Sequence, residues 1–521
     1  MDSPYRLLCF CSILLIAAAS PLSKATSMSM ETNDTITIST HLGKVQGSLK
    51  NNVVTFYGVP YAADPFVKTK RFQAPEPIKP WQGVLRAIEM KPPVPQPGRG
   101  KNVKLVGAPG DLTVNIWAPE DAFSDNNKRP VMVWLPGGAY IRADAGEGVY
   151  DGSHFAQKGV VIVTVNYRVG VDGFMHIDGA PDNRGTLDQI LALKWVKNNI
   201  EDYGGDPSNI TLFGQSAGAG SVAILLGSSR ANTLFDKAIM QSPPMQAISK
   251  AQAAEVTRAF AKKLNIEPTL AALSNVPFEA LVKGVVDIGN AIKSRREWGM
   301  LSWGGTAFLP VVDGELIINS PMLNLKNGAN PSIPTIVGST DQESRLYLVP
   351  GNEIETIDES KVSLFLHDLN LGEDARKVYK KTGHDSYGDI YADIQSDYTF
   401  RMPAIQIAEL LTESGSTVWK YNFGWKSDAY DGELGAAHFV DVPYTFDTID
   451  TEEASNFVGD KPSENLSQTM QNYWVRFAKL GEPGWSEYTK GSRKTMRFDN
   501  QSGAEEDPNK LKRALWKAFE F

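Results

Sequence analysis

From residue 28 onward, short unbroken apolar runs alternate with longer stretches of helical periodicity. Residues 131–135 (VMVWL), 160–166 (VVIVTVN) and 210–213 (ITLF) are almost wholly apolar, as expected of strands covered on both faces in a parallel sheet. Between the last two runs, residues 187–200 place Leu187, Ile190, Leu191 and Trp195 at helical spacing, giving one apolar face. Strands interleaved with helices in this way predict an α/β fold, a mostly parallel central sheet with helices on both faces. No linker, repeat, low-complexity tract or long charge run interrupts the pattern, so residues 28–521 read as one domain.

The first 27 residues depart from that pattern. A single Arg6 precedes an apolar run over residues 7–19, followed by small residues. A bilayer span needs about 20 apolar residues, whereas this length suits a signal-peptide core, so stable membrane insertion is not expected. Small residues at Ala25 and Ser27 predict cleavage after Ser27; a cut after Ser20 would leave Pro21 at the new terminus. The chain is therefore expected to be secreted. Its only two cysteines, Cys9 and Cys11, lie inside the removed segment, which excludes thiol nucleophiles, thiolate metal sites and disulfides from the mature protein. A domain of this size buries enough surface to stand without disulfides. Sequons begin at Asn33, Asn209, Asn465 and Asn500; Asn209 falls on a core strand and is expected to stay unmodified, while the other three are open to glycosylation.

Composition narrows the function. With 42% hydrophobic residues, the chain can build a large core, which excludes disordered and fibrous classes. Lys and Arg total 52 against 60 acids, a net charge of -8, so the excess of positive charge that nucleic acid demands is missing.

Candidate chemistry begins at residues 214–218, GQSAG, which follow the strand ITLF and precede the helix-like SVAILL. A G-x-S-x-G turn between strand and helix exposes its serine, and glycines two residues either side remove side chains that would clash. Ser216 is thus a candidate nucleophile, and a serine needs a base to take its proton. Six histidines are available. His41, in an apparent edge strand, and His154 and His176 all precede the serine, whereas the order Ser, acid, His requires a later one. His367 and His384 sit in polar, helix-like stretches; His438 follows the strand-like run 418–423 and a Gly-rich loop, and is the best candidate. Between serine and histidine, the strand at 334–338 runs into a loop carrying Asp341 and Glu343, and spacing leaves both carboxylates open. The strand VMVWL runs into PGGAY at 136–140, where backbone N–H groups of Gly138 and Ala139, with that of Ala217, can face a developing oxyanion. No His-Glu-x-x-His and no Gly-Lys-Ser/Thr phosphate loop occurs, so neither metal nor organic cofactor is expected.

At this point the whole mature chain resembles the type-B carboxylesterase family, which includes cholinesterases and many microbial and fungal esterases. The motifs are FYGVPYA (56–62), Arg71-Phe72, LTVNIWAP (112–119), VNYRVGVDGF (165–174), the long stretch 182–221 and FLPVVDGELI (308–317). The resemblance implies an α/β-hydrolase fold and a Ser-Glu-His triad. Its G-x-x-x-x-E loop falls on residues 338–343 and so selects Glu343, and its G-x-x-H-x-x-[ED]-[LIV] segment matches His438 and Asp441. Departures from the family pattern bear on substrate. Gln215 stands where Glu is usual, which removes a negative charge beside the nucleophile. Pro136 replaces the common His, without touching the backbone donors. Val94 and the GDL at 110–112 stand where disulfide cysteines would fall, and no Trp or Tyr lies between Val94 and Asp111, where cholinesterases carry a choline-stacking tryptophan. Alignment back from FLPVVDG puts Gly304 and Thr306 at the acyl-pocket aromatics, implying a wider acyl pocket.

These features predict a secreted serine carboxylesterase acting through an acyl-enzyme on a small-molecule ester. The absent cation-π platform favours neutral or anionic substrates such as a xenobiotic, toxin or secondary-metabolite ester. Arg99, with Lys101 and Lys104, is expected at the gorge mouth, attracting acidic acyl groups. A monomer or homodimer is expected. Rival readings are a lipase, or a catalytically inactive adhesion protein on the same scaffold. Since the imidazole must be neutral to act as base, activity is expected to fall as pH drops through roughly 6–7.

Overall fold

The computed structural model describes residues 34–521 apart from 100–102, 126, 295, 305, 373 and 382–385. The signal segment, both cysteines, the Asn33 sequon, Lys101 and His384 lie outside the described residues.

Among the described residues one sheet of thirteen strands organises the chain. Its strands are β1 (Asp34–Thr40), β2 (Gly43–Lys50), β3 (Val53–Ala62), β4 (Val84–Arg86), β5 (Leu112–Pro119), β6 (Arg129–Leu135) and β7 (Val161–Val165). Then follow β8 (Gly205–Gln215), β9 (Lys237–Gln241), β10 (Thr335–Thr340), β11 (Val418–Phe423), β12 (Lys494–Phe498) and β13 (Gly503–Glu506). In space the order is β1-β2-β3-β5-β7-β6-β8-β9-β10-β11-β12-β13, with β4 beside β2. The contacts from β7 through β12 are all parallel, and antiparallel strands close both edges. The predicted mostly parallel sheet is thus observed, and its antiparallel N-terminal margin is the part that apolar runs alone did not announce.

The unbroken apolar runs have the expected cause. In β6, Val131, Val133 and Leu135 enter one core while Met132 and Trp134 enter the other, so each face is packed. The helix Arg184–Asn199 covers the first face, burying Ile190 and Trp195. The helix Glu464–Leu480 covers the second, burying Met470, Trp474 and Phe477. A third apolar cluster is built from helices between residues 345 and 405 and joined by Trp516. None of the described helices is long and apolar enough to cross a membrane.

His41 lies in the turn between β1 and β2 rather than in a strand, its Nδ1 2.9 Å from an Asp202 carboxylate oxygen. Asn209 sits in the first half of β8, half-buried, where its side-chain oxygen accepts from Lys237 Nζ.

Register decides where chemistry can gather. Gly214 in β8 pairs with Leu135 in β6, Gln215 with Gln241 in β9, Gln241 with Gly338 in β10, and Thr340 with Phe423 in β11. The loops leaving β6, β8, β10 and β11 therefore emerge side by side at one edge, where open α/β sheets hold their sites.

Candidate active site

At the tip of β8 the chain reverses into the helix Ala217–Leu226 within one residue. Ser216 takes φ 55° and ψ -128°, a conformation costing on the order of 1–3 kcal/mol for a residue with a Cβ. Two bonds hold it: its N–H donates to Gln241 O at 2.9 Å, and its own carbonyl accepts from Gly220 N–H at 2.9 Å. The turn needs glycine at 218, because a Cβ there would lie 1.9 Å from the carbonyl oxygen of Leu135. Ser216 is also the N-cap of that ten-residue helix, whose positive end favours negative charge beside it.

Glu343 and His438 meet as the resemblance implied. Glu343 Oε2 lies 2.5 Å from His438 Nδ1. Its Oε1 accepts from Ser242 Oγ at 2.6 Å and from the Thr340 N–H at 2.7 Å, so a fully buried carboxylate has both oxygens engaged. The backbone repeats the link, His438 N–H donating to Glu343 O at 3.1 Å. Asp341, the carboxylate that spacing left open, points elsewhere and accepts from Arg497 Nη1 at 2.8 Å. Asp441 stands behind the pair, fully buried, receiving Gln241 Nε2 at 3.0 Å and the Tyr421 hydroxyl at 2.9 Å. Burial pushes its carboxyl up to about 6, with the nearby Glu343 charge adding to the effect against those two donors.

The imidazole is wedged in place. Phe400 stacks on it with centroids 4.3 Å apart and planes at 26°, and Tyr347 lies on another side at 5.7 Å. At its outer nitrogen, Nε2, the partner is Gln215 Nε2 at 2.9 Å. Tyr347 lies in the same cavity wall as Ser216, and desolvation with the Glu343 charge pushes its phenol up. The other candidate histidine described, His367, is exposed and bonded to its neighbour Asp368.

The loop after β6 runs through Gly138, Ala139 and Tyr140, all with positive φ. At Gly138, φ 131°, a Cβ would come within 2.2 Å of Arg142 O, so the turn admits glycine alone. Ala139, Ser216 and Ala217 share the lining of one cavity of about 140 Å³. Gly304 and Thr306 line it too, and Thr306 Oγ1 donates to Ala139 O at 3.3 Å. The wall residues that sequence reasoning did not single out include Gln246, Lys293, Trp303, Tyr347, Gln395 and Phe400. Arg99 is not among them. It is exposed and paired at 2.6 Å with Glu147, so its charge is largely matched locally.

Phe400 reaches the imidazole through an irregularity. Residues Asp397–Arg401 form one π-helical turn between two α-helical stretches, Tyr387–Ser396 and Met402–Glu413. Such turns carry an extra residue and recur at functional sites. Arg401 locks it, bonding Asp397, Asp393 (3.0 Å) and the carbonyl of Asp341 (2.5 Å), while Lys512 also binds Asp393 at 2.6 Å. Arg401→Met takes the guanidinium from buried Asp397 and the donor from the Asp341 carbonyl, while Asp393 keeps Lys512. We expect that variant to lose about 3–5 kcal/mol of unfolding free energy in urea titration; a loss below about 1 kcal/mol would mean that the network does not hold the turn.

Comparison with known proteins bears on the chain as a whole. The carboxylesterase family pattern matches residues 34–516. A para-nitrobenzyl esterase of Bacillus subtilis is 34% identical over 496 residues, covering 91% of this chain and 97% of that protein. A phenmedipham hydrolase of Pseudarthrobacter oxydans is 30% identical, covering 85% and 90%. Among solved structures, a carboxylesterase of Geobacillus stearothermophilus superposes with a TM-score of 0.81 at 31% identity, over 92% of this chain and 99% of that one. An α/β-hydrolase sheet, a strained serine at its edge and this similarity along nearly the full length lead to one statement: the chain belongs to the carboxylesterase family and is a carboxylic ester hydrolase.

Proposed function

We propose that the chain is a secreted serine carboxylesterase working through an acyl-enzyme, with Ser216 as nucleophile, His438 as base and Glu343 as the acid that orients it. The observation that carries this reading is the 2.5 Å contact of Glu343 Oε2 with His438 Nδ1 beside the strained Ser216. A carboxylate only accepts, so Nδ1 carries the proton and Nε2 keeps a lone pair for the serine. Ser216 Oγ attacks the ester carbonyl while its proton passes to Nε2. The carbonyl electron pair moves onto oxygen, met by the N–H groups of Gly138, Ala139 and Ala217. Collapse of that intermediate expels the alcohol, which takes the proton from His438. Water then repeats the sequence on the acyl-enzyme, releasing the acid and restoring Ser216. In this reading residues 1–27 direct export.

Titration with an organophosphate tests the nucleophile. One label per chain is expected, lost in Ser216→Ala; a wild-type protein that takes no label while hydrolysing esters refutes the reading. Stoichiometric uptake also separates the enzyme from an inactive relative on the same scaffold. The relative named a para-nitrobenzyl esterase suggests para-nitrobenzyl esters as first assay substrates.

For substrate charge, the reading is a neutral or anionic acyl group rather than a cation. Its support is Lys293, at the C-terminal end of the helix Phe278–Lys293, which lines the cavity and has no carboxylate within ion-pair distance among the described residues. Gln246 adds an amide Nε2 that is buried without a hydrogen-bond partner. Because Lys293 is exposed, its contribution is screened. For Lys293→Met, the ratio of kcat/KM for a dicarboxylic acid monoester over a neutral ester of equal length should fall about two- to fivefold. The difference should shrink in high salt. An unchanged ratio would remove Lys293 from substrate recognition.

A further inference from the structure

We propose that Gln215 is a positioning residue that holds the neutral His438 ring in its base tautomer while the site is empty, and that the Ser216 hydroxyl displaces it from Nε2 at the start of each turnover. This rests on the roles given above to Ser216 and His438.

The argument starts from which atoms can donate. Glu343 fixes the proton on Nδ1, so a neutral ring offers only a lone pair at Nε2. The atom facing that lone pair at 2.9 Å is the amide nitrogen of Gln215, which donates and cannot accept. The contact is therefore satisfied by the neutral ring alone; a protonated ring would set two N–H groups against each other. Gln215 and the imidazole are both buried, so water does not replace a lost bond cheaply.

Among the described residues the side-chain hydrogen bond at Nε2 is to Gln215, and none reaches that nitrogen from Ser216 Oγ. Gln215 and Ser216 are adjacent residues at one strand tip. Bringing the Ser216 hydroxyl to Nε2 requires the Gln215 N–H to leave, a side-chain reorientation on the picosecond-to-nanosecond scale.

The charged and titratable groups placed against the ring are few. Glu343 comes from the loop after β10, Tyr347 from the helix Arg345–Leu348, and Asp441 from the helix Asp441–Phe446. Arg142 acts on Tyr347 from the oxyanion loop, and the Phe400 face is uncharged. At 215, then, an amide favours the neutral ring, whereas a carboxylate would favour the charged one.

The test is the pH dependence of kcat/KM and of kcat for a neutral ester in wild type, Gln215→Met and Gln215→Glu, each first titrated with organophosphate. The first parameter reports the free enzyme and the second the complex. We expect the acid limb of kcat/KM to move up by about half to one unit in Gln215→Met. In Gln215→Glu it should move up by about one to two units. The kcat limb of Gln215→Met should stay in place, because in the complex Ser216 already occupies Nε2. Limbs that stay at the wild-type position in fully labelled variants would make Gln215 a spectator. A downward move in Gln215→Met would mean that the amide presents its oxygen to Nε2, and it too overturns the proposal. Absence of label in the wild type would overturn the underlying roles of Ser216 and His438 as well, so the two failures are told apart.

Discussion

Ser216→Ala should lower kcat for a neutral p-nitrophenyl ester by about 10⁵- to 10⁶-fold. The thermal midpoint should stay within a few degrees, since the lost group is one hydroxyl. The elbow survives the change, because the backbone bonds from Ser216 N to Gln241 O and from Gly220 N to Ser216 O do not use the side chain. The glycines that let the helix sit against β6 are also untouched. A residual rate above water, on the order of 10³-fold, is expected from the Gly138, Ala139 and Ala217 donors acting on a bound ester. Single-turnover measurements with active-site titration separate this residue from wild-type contamination. A variant that retains even one per cent of kcat would show that another group makes the covalent bond.

Glu343→Gln should cost about 10⁴-fold in kcat, although it is nearly isosteric. The amide oxygen can keep the two donors now held by Oε1, the Ser242 hydroxyl and the Thr340 N–H. That choice turns the amide NH₂ toward Nδ1, which must then accept. The ring proton moves to Nε2, and the lone pair needed by Ser216 is gone. The organophosphate labelling rate should fall in parallel, since it uses the same base. Retained circular dichroism with this loss would locate the defect in the tautomer. A fall of less than tenfold would imply that Asp441 or solvent orients the ring instead.

Much of this site could be read from the chain because its chemistry is carried by local motifs. The strand-turn-helix at 205–226 forces Ser216 outward wherever the fold places it, and small residues at 137–139 expose backbone donors in any setting. The acid was harder. Asp341 and Glu343 occupy one loop, and only their partners separate them: Arg497, from β12, takes the first, while Ser242, Thr340 and His438 enclose the second. Those partners lie up to 156 residues away, beyond any spacing rule. Phe400 and the π-turn that aims it were illegible for a related reason, since the turn depends on Asp393 and Asp397 meeting Arg401, and Asp393 meeting Lys512, after folding. Arg99 shows the opposite error: a cluster of basic residues suggested an attractive field, but Glu147 answers the charge. Tyr347 was within reach of pattern reading, as it follows Glu343 by one helical turn.

The site is assembled from two sources. Ser216, Glu343, His438 and the oxyanion loop hang from neighbouring strand ends whose register ties each to the next. Lys293, Trp303, Gly304 and Thr306, with Gln395, Thr399 and Phe400, come instead from helices and a loop outside the sheet, Gln395 Nε2 donating to Trp303 O at 3.3 Å. Substitutions in those segments can therefore change which ester fits without moving the groups that cleave the bond, because the two sets of side chains hang from separate parts of the backbone.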